Sequence, residues 1–199
     1  TFDGMRYVAR HPGIGPALLL LAATALGVKP FLELLPGLAD GVFHAGVEGF
    51  AAFAAMAGVG AIIAGLWVAL RGRAQGTTRI AFGAMLLGTL GIFVVSATEI
   101  YWVGLLGTFL AGGAITLAGT STQILMQNSV DGAVRGRVMS LYGMVHRGGP
   151  ALGAVIMGWI ASEAGLRATI GCGALVMVLV WLWARPRSRS MAAILERSD

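Results

Sequence analysis

Long apolar segments recur along this chain, and short polar loops separate them. Between Glu48 and Arg71, for example, no residue carries a formal charge. A helix rises about 1.5 Å per residue, so roughly 20 apolar residues cross a hydrocarbon core of about 30 Å. The segments also lack the strict alternation of barrel strands. The pattern therefore predicts six membrane-spanning helices, at residues 13–39, 46–70, 80–97, 101–127, 138–162 and 168–184.

The composition supports a membrane protein. Of the 199 residues, 57% are hydrophobic and 12% are charged, and the mean hydropathy is +0.81. A soluble domain of this size would need more polar surface. The net charge of +5 does not indicate nucleic-acid binding, because most arginines fall in loops, where anionic lipid is the nearer partner. The single cysteine, Cys172, lies within a predicted span, so we expect no internal disulfide, no cysteine-based metal site and no cofactor.

Basic residues mark every second loop. The basic segments before the first span and after the second, fourth and sixth hold Arg6, Arg10, Arg71, Arg73, Arg79, Arg135, Arg137, Arg185, Arg187 and Arg189. The other three connections hold Asp40 and His44, then Glu99, then Glu163 and Arg167. The positive-inside rule predicts that the basic loops and both termini are cytoplasmic. Residues 185–199 then form a solvated basic tail on the membrane surface, to which we assign no site.

Small residues recur at spacings of four within two spans. The rows are Ala57, Ala61 and Gly65 in the second span, and Gly104, Thr108 and Gly112 in the fourth. Such rows let helix backbones approach closely, which predicts a compact bundle. The alternative is that glycine, with 31 residues, only reflects a composition that lipid tolerates.

Two charged residues lie one turn apart in the first span. Lys29 and Glu33 can pair with each other, and Pro30 and Pro36 flank them. Pro30 cannot donate a hydrogen bond to the carbonyl of Leu26, so a kink is expected there. The segment is therefore either a hinge with a binding surface, or the outer end of a helix whose charged side chains reach the interface.

The fourth span carries a polar stripe along one helix face. Its members, at spacings of four, three and four, are Thr116, Thr120, Gln123 and Gln127. These neutral donors and acceptors predict either a wet pathway for a solute or hydrogen bonds to neighbouring helices.

The fifth span contains His146-Arg147-Gly148-Gly149-Pro150. Arg147 lies about 14 Å past the expected cytoplasmic boundary, too deep for an ordinary anchor, so its guanidinium should point into the bundle and have a partner. That partner is either an anionic solute or a fixed structural carboxylate. Pro150 and the adjacent glycines predict a bend. His146 is expected to be a packed, hydrogen-bonded neighbour.

Several of these segments together resemble one family. They are Val8-Ala9-Arg10-His11-Pro12, Leu35-Pro36, Gly58-Val59-Gly60-Ala61, Gln127, and Arg135-Gly136-Arg137-Val138-Met139-Ser140-Leu141-Tyr142-Gly143. Over about residues 6–184 the chain resembles the C-terminal half of a major facilitator superfamily transporter. The Arg135 segment and Gly148-Gly149-Pro150-Ala151-Leu152-Gly153 are most similar to the branch with the enterobactin exporter and drug-efflux proteins.

The loop after the second span also resembles the cytoplasmic signature of that superfamily. Gly65, Gly72 and Arg73 occupy matching places, but Ala69 stands where the signature has Asp. The acidic residue usually binds a helix terminus, so this departure puts such a latch in doubt here.

The resemblance implies an all-helical bundle of six spans that forms one half of a twelve-helix carrier in a bacterial cytoplasmic membrane. Residues 1–12 are then the end of a central linker, and residues 13–184 are the bundle. The two halves would open a central cavity to either side in turn, with Pro30, Gly148, Gly149 and Pro150 as hinges. Because the chain begins at Thr1, we expect it to be a fragment that lacks the N-terminal half.

The sequence therefore predicts a secondary active transporter that exports a small molecule such as a drug or siderophore, with Glu33 as a candidate for proton coupling. A membrane-embedded enzyme is not expected, because neither a His-Glu-x-x-His run nor a Gly-x-Ser-x-Gly elbow is present. A noncatalytic scaffold or assembly subunit is the remaining alternative, and it would leave the polar stripe and Arg147 without a role.

Overall fold

The structure is a computed structural model that describes Val8, His11 and residues 13–72, 75–130 and 132–196, apart from the side chain of Ala133. All regular structure in these residues is helical. The helices are α1 (Ile14–Gly27), α2 (Pro30–Glu33), α3 (Leu35–Gly41), α4 (Gly46–Arg71), α5 (Thr77–Ala97), α6 (Tyr101–Ser129), α7 (Gly132–Ala164), α8 (Leu166–Ala184) and α9 (Ser188–Leu195), with a 3₁₀ turn at Arg185–Arg187.

The first predicted span is three helical segments rather than one helix. α1 ends at Gly27, and the N–H groups of both Val28 and Lys29 donate to the carbonyl of Thr24. Pro30 then begins α2. Since proline has no N–H and a fixed φ, it is favoured in the first turn of a helix and disrupts one in the interior. The predicted interruption at Pro30 is confirmed, and a second one follows at Leu34.

Within the described ranges, five segments are long and apolar enough to cross a membrane: Ile14–Glu33, Gly46–Arg71, Thr77–Ala97, Tyr101–Ser129 and Leu166–Leu195. They agree with five of the six predicted spans. The remaining one corresponds to α7, which is a helix of 33 residues. Its sequence is less apolar because His146, Arg147 and Pro150 interrupt the hydrophobic run. That α7 crosses the membrane remains a prediction.

Close backbone contacts hold the bundle together around α6. This helix packs on α4 and α5, α5 packs on α8, and α1 packs on α7 and α8. A Cβ atom on Gly112 would collide with the backbone of Ala57, so α4 and α6 meet where the small-residue rows predict. Gly65, the last residue of the small-residue row in α4, makes no such contact, because it has open space around it.

The prediction of a solvated tail is wrong for the part that the structure describes. Residues 188–195 form α9, and Met191 and Leu195 are buried because their spacing of four places both on one face of the helix. Glu196 follows α9, and its carboxylate accepts hydrogen bonds from the N–H groups of Gly76 and Thr78 at 2.7 and 2.8 Å. Residues 197–199 lie outside the described part.

Candidate functional site

A polar cluster lies where the break after α1 meets α6 and α7. The ammonium of Lys29 is 2.9 Å from Nδ1 and 3.0 Å from Nε2 of His146, and 3.5 Å from the carbonyl oxygen of His146. The hydroxyl of Tyr142 lies 3.1 Å from the carbonyl oxygen of Gly119 and 3.2 Å from Nδ1 of His146. The rings of Tyr142 and His146 stack with centroids 5.1 Å apart. We call Lys29, His146, Tyr142 and Gly119 the Lys29 cluster.

Two of the hydrogen-bond directions in this cluster are fixed by chemistry. The Gly119 carbonyl can only accept, so Tyr142 donates its one proton there. The Lys29 ammonium can only donate, so a ring nitrogen of neutral His146 accepts from it; both nitrogens lie within 3.0 Å, and the tautomer determines which one accepts. His146 is therefore held between Lys29 and Tyr142, and Tyr142 is bonded to the backbone of α6.

Glycine makes room for this cluster. A Cβ atom on Gly119 would lie 3.1 Å from Cε1 of His146. On the neighbouring side of α7, a Cβ atom on Gly149 would lie 2.7 Å from Cβ of Ala25, and one on Gly153 would lie 2.6 Å from the carbonyl oxygen of Leu26. α1 and α7 are therefore in close contact just before the helix break, which brings Lys29 to His146.

Lys29 does not pair with Glu33 in the structure. The ammonium contacts His146, while Glu33 is exposed and has no partner among the described residues. The predicted pairing of the two is therefore wrong. Lys29 is the N-cap of α2 and Glu33 is its last residue, so the two are one turn apart, but the Lys29 side chain reaches His146 on α7 whereas Glu33 is exposed.

Arg147 lies on the outer face of α7. Its side chain is exposed, and it makes no hydrogen bond or ion pair within the part of the chain that the structure describes. His146 occupies the face of α7 that meets the other described helices, so Arg147 points away from them, and its position inside a twelve-helix bundle with a partner remains a prediction. Gly143, Gly148 and Gly158 on α7 have open space around them. α7 is assigned as helical without a break through Pro150, so the bend predicted there remains a prediction.

The polar stripe of α6 faces away from the buried core. Thr116 and Thr120 are half-buried, whereas Gln123 and Gln127 are exposed. None of the four side chains has a hydrogen-bond partner among the described residues. The alternative in which they bond to neighbouring helices is thus not seen within this chain. Gly119, which contacts His146, lies about 60° around the helix from Thr116, so the Lys29 cluster borders the stripe.

The cytoplasmic signature residues fall at two turns. Gly72 ends α4 with φ of 57°, a conformation that favours glycine, and Gly65 lies in open space. Arg73 lies outside the described residues. Nε and Nη2 of Arg135 each donate to the carbonyl of Val130, just after α6, at 3.3 Å. Arg137 is exposed on α7, where it also has an interaction partner.

A cavity of about 230 Å³ opens beside the first of these turns. Its lining includes Trp67, Arg71 and Asn128, and it lies between the ends of α4 and α6 and the start of α5. The guanidinium of Arg71 donates to the carbonyl of Gln75 at 2.6 Å and so closes the turn. On α6 its lining extends from Ser121 to Asn128, and it includes no residue of the Lys29 cluster.

Sequence analysis did not identify Tyr142, Gly119 or Glu196 as site residues. Tyr142 and His146 lie one helical turn apart on α7, a spacing that could have indicated their contact. Gly119 and Glu196 gave no such signal, because their partners lie far away in the sequence. His146 was expected to be packed and hydrogen-bonded, and this is confirmed, although Lys29 was not foreseen as its partner.

These features define an integral membrane protein with a helical bundle, close glycine contacts and a polar, unpartnered face of the kind found in solute carriers. Residues 1–194 match the profile of the family described as transmembrane secretion effector. The chain belongs to this family of major facilitator transporters. No curated protein matches the chain.

Proposed function

We propose that this chain is the C-terminal six-helix half of a twelve-helix secondary transporter. The transporter exports a small molecule across a bacterial cytoplasmic membrane by alternating access, and a proton gradient supplies the energy. Membership of the secretion family supports the class and the direction. The two breaks around Pro30 and the proline within α7 support movement of helical segments at the depth of the site.

The observation that carries the proposal is the polar stripe on α6. Four side chains that can donate and accept hydrogen bonds have no partners, although they lie in one of the apolar segments. Polar groups facing hydrocarbon would lose hydrogen bonds to water at a cost of several kcal/mol each. A water-filled pathway satisfies them and also offers neutral hydrogen-bonding groups to a passing solute.

The cost of placing polar groups in hydrocarbon also supports the presence of a second six-helix half in the transporter. Lipid contact with Arg147 would be costly, and the glycines open to that side of α7 would suit close packing against another helix. An N-terminal six-helix half would cover α7 and close the pathway. In this arrangement α9 and the loop between α4 and α5 lie on the cytoplasmic side, as the arginines of that loop and of the 3₁₀ turn favour.

The exported molecule is proposed to be amphipathic or anionic, in the class of drugs or siderophores. Support comes from the neutral amides and hydroxyls of the stripe beside the basic Lys29 and Arg147. Glu33 is exposed and unpaired among the described residues, and it is proposed as the residue of proton coupling.

The test is export from cells that express the complete reading frame. Dyes, drugs and siderophores are loaded, and efflux is followed with and without a proton uncoupler. We expect uncoupler-sensitive efflux that Arg147→Ala reduces at equal abundance in the membrane. Arg79→Ala is the matched control, because Arg79 is an exposed arginine in the first turn of α5, away from the pathway.

Two observations together would contradict the proposal. The correctly inserted protein would export none of the tested compounds, and the Arg147→Ala variant would fail to assemble in the membrane. That outcome would favour a scaffold or assembly subunit. Catalytic turnover of a lipid or peptide by the intact protein would favour an enzyme.

A further inference from the structure

The cavity of about 230 Å³ between α4, α5 and α6 has a mixed polar and apolar lining. Arg71 is the charged member of the described lining, which contains no acidic residue. Thr77, Ser121 and Asn128 are its polar members, and Trp67 contributes apolar surface. Such a cavity suits a ligand that carries both a negative charge and an apolar body.

Ser121 is a buried residue of this lining whose hydroxyl is left without a partner. It is 2% exposed, and its hydroxyl makes no hydrogen bond within the described ranges. The neighbouring residue Thr122 shows the usual arrangement in a helix, since its hydroxyl donates to the carbonyl of Ala118 at 2.8 Å. A buried hydroxyl without a partner is unfavourable, so the Ser121 hydroxyl is available to a group bound in the cavity.

Two neutral contacts orient Arg71 beside the cavity. Its guanidinium lies 5.6 Å from the centroid of the Trp67 ring, and Nη2 donates to the carbonyl of Gln75 at 2.6 Å. Arg71 forms no ion pair within the part of the chain that the structure describes. A guanidinium has five N–H donors, so most of them remain for a ligand. The exposed amide of Asn128 also has no partner among the described residues.

These polar groups lie at two depths along membrane-spanning segments. Arg71 ends the segment Gly46–Arg71, and Asn128 is the residue before the end of Tyr101–Ser129. Ser121 lies seven residues before Asn128 on α6, which places it about 10 Å deeper. A phospholipid has the same order, because its charged phosphate lies at the membrane surface and its ester carbonyls lie below.

Apolar side chains continue from the cavity onto the outer surface of α4. Ile63 and Leu70 lie on the same face of this helix as Trp67, and all three are exposed. In a membrane this face contacts acyl chains, and tryptophan favours the interfacial region. A lipid whose headgroup enters the cavity therefore keeps its acyl chains within the bilayer.

We infer that this cavity binds the headgroup of an anionic phospholipid. The phosphate accepts hydrogen bonds from Arg71 and Asn128, and the hydroxyl of Ser121 donates to an ester carbonyl below it. The acyl chains lie along the exposed face of α4. This lipid site goes beyond the proposed function and depends only on insertion in a membrane, because Ser121 and Asn128 lie on a different face of α6 from the polar stripe at Thr120.

The test compares two lipids on the complete transporter. The protein is delipidated in mild detergent and titrated separately with dioleoyl phosphatidylglycerol and dioleoyl phosphatidylcholine, which share their acyl chains and differ in net charge. Native mass spectrometry counts the lipids that are retained. We expect one phosphatidylglycerol to bind about fivefold more tightly than phosphatidylcholine, a ratio that corresponds to about 1 kcal/mol.

Two arginine variants assign the preference for negative charge to the cavity. Arg71→Gln should bring the two lipids to equal retention, whereas Arg187→Gln should keep the preference. Arg187 is a matched control, because it also lies over a tryptophan ring, that of Trp183, and donates to a backbone carbonyl, but it does not line this cavity. Thermal unfolding of each variant confirms that it is folded.

Two serine variants test the deeper contact. Ser121→Ala should weaken the binding of both lipids several-fold and leave their ratio unchanged, because both lipids have ester carbonyls. Ser129→Ala on the same helix removes a hydroxyl that already donates to the carbonyl of Leu125 at 2.7 Å, so it should change neither value. Equal binding by these two variants would overturn the role of Ser121.

Equal retention of the two lipids by the unaltered protein would overturn the lipid site. A preference that Arg71→Gln leaves unchanged would also overturn it, and this is the result expected if the N-terminal half fills the cavity. Excess inorganic phosphate and glycerophosphoglycerol are added as competitors, and neither should displace the lipid. Displacement by either would identify a site for a free phosphate compound and would overturn the lipid as its occupant.

Discussion

The carboxylate of Glu196 accepts a hydrogen bond from the backbone N–H of Thr78 at 2.8 Å. It also accepts one from Gly76, so that the residue after α9 binds the first N–H groups of α5. These groups have no partner within their own helix, and the helix dipole favours a negative charge there. Glu196 thereby supplies an acid at this loop, whose signature has Ala69 in place of Asp.

Replacement of Glu196 by alanine is expected to destabilise the end of the bundle where Glu196 meets the start of α5. Two hydrogen bonds to a charged acceptor are lost, at a cost of about 1–3 kcal/mol. Thermal unfolding in detergent should shift to lower temperature, and trypsin should cut at Arg187 and Arg189 more quickly. Glu163→Ala is the control, since Glu163 is exposed and has no partner in the described ranges, and unchanged unfolding in both variants would contradict the role of Glu196.

Gly112→Ala is expected to separate α4 from α6. The added methyl group would collide with the Ala57 backbone, and overpacking of this kind costs about 1–3 kcal/mol. The midpoint of unfolding in detergent should fall. Gly58→Ala on α4 is the matched control, because Gly58 has open space around it and alanine is the better helix former by about 1 kcal/mol. Equal stability of the two variants would argue against close packing at Gly112.

A pair of threonines on α6 tests the pathway without a change in shape. Thr120 belongs to the polar stripe and has no partner among the described residues, whereas Thr122 is buried and bonds to the carbonyl of Ala118 at 2.8 Å. Thr120→Val should lower the rate of uncoupler-sensitive efflux several-fold at unchanged abundance. Thr122→Val should keep the rate and alter stability by about 1 kcal/mol. The opposite pattern would place the solute elsewhere.

Thiol labelling distinguishes water from lipid at two exposed positions. Cys172 lies on the exposed side of α8, as do the apolar residues Leu175, Val176 and Leu179. A water-soluble maleimide should therefore react slowly with it, because a polar reagent enters hydrocarbon poorly. Gln123→Cys combined with Cys172→Ser should react quickly in the complete transporter. If Gln123→Cys reacts as slowly as Cys172, the stripe faces lipid or packed protein, contrary to the proposal.

Most of the helices could be predicted from the sequence, because the length of an apolar segment determines whether it can cross a bilayer. The boundaries of α4, α5 and α6 lie within a few residues of the predicted ones. The first span was harder to predict, since hydropathy is insensitive to the breaks on either side of α2. Pro30 indicated one break, and Pro36, in the first turn of α3, was a comparable signal for the break at Leu34 that was not used.

The candidate site was only partly predictable for a different reason. Helix periodicity shows which residues share a face, and it found the stripe of α6 correctly. It does not show which face meets which neighbour. The packing of Gly149 and Gly153 on α1 turns His146 toward the described helices and Arg147 away from them, and periodicity alone could not show this. Lys29 was given the partner nearest in sequence, although its partner in the fold is on another helix.

The distance in sequence between Lys29 and His146 also matters during synthesis. They are 117 residues apart, which at roughly 5–20 residues per second corresponds to about 6–23 seconds of translation. α1 packs on α7 and α8 and makes few contacts with the helices made directly after it. The first span must therefore wait in the bilayer with an unmatched ammonium until almost the whole chain has been inserted. A chain that ends before α7 would therefore lack the acceptor that His146 provides for this ammonium.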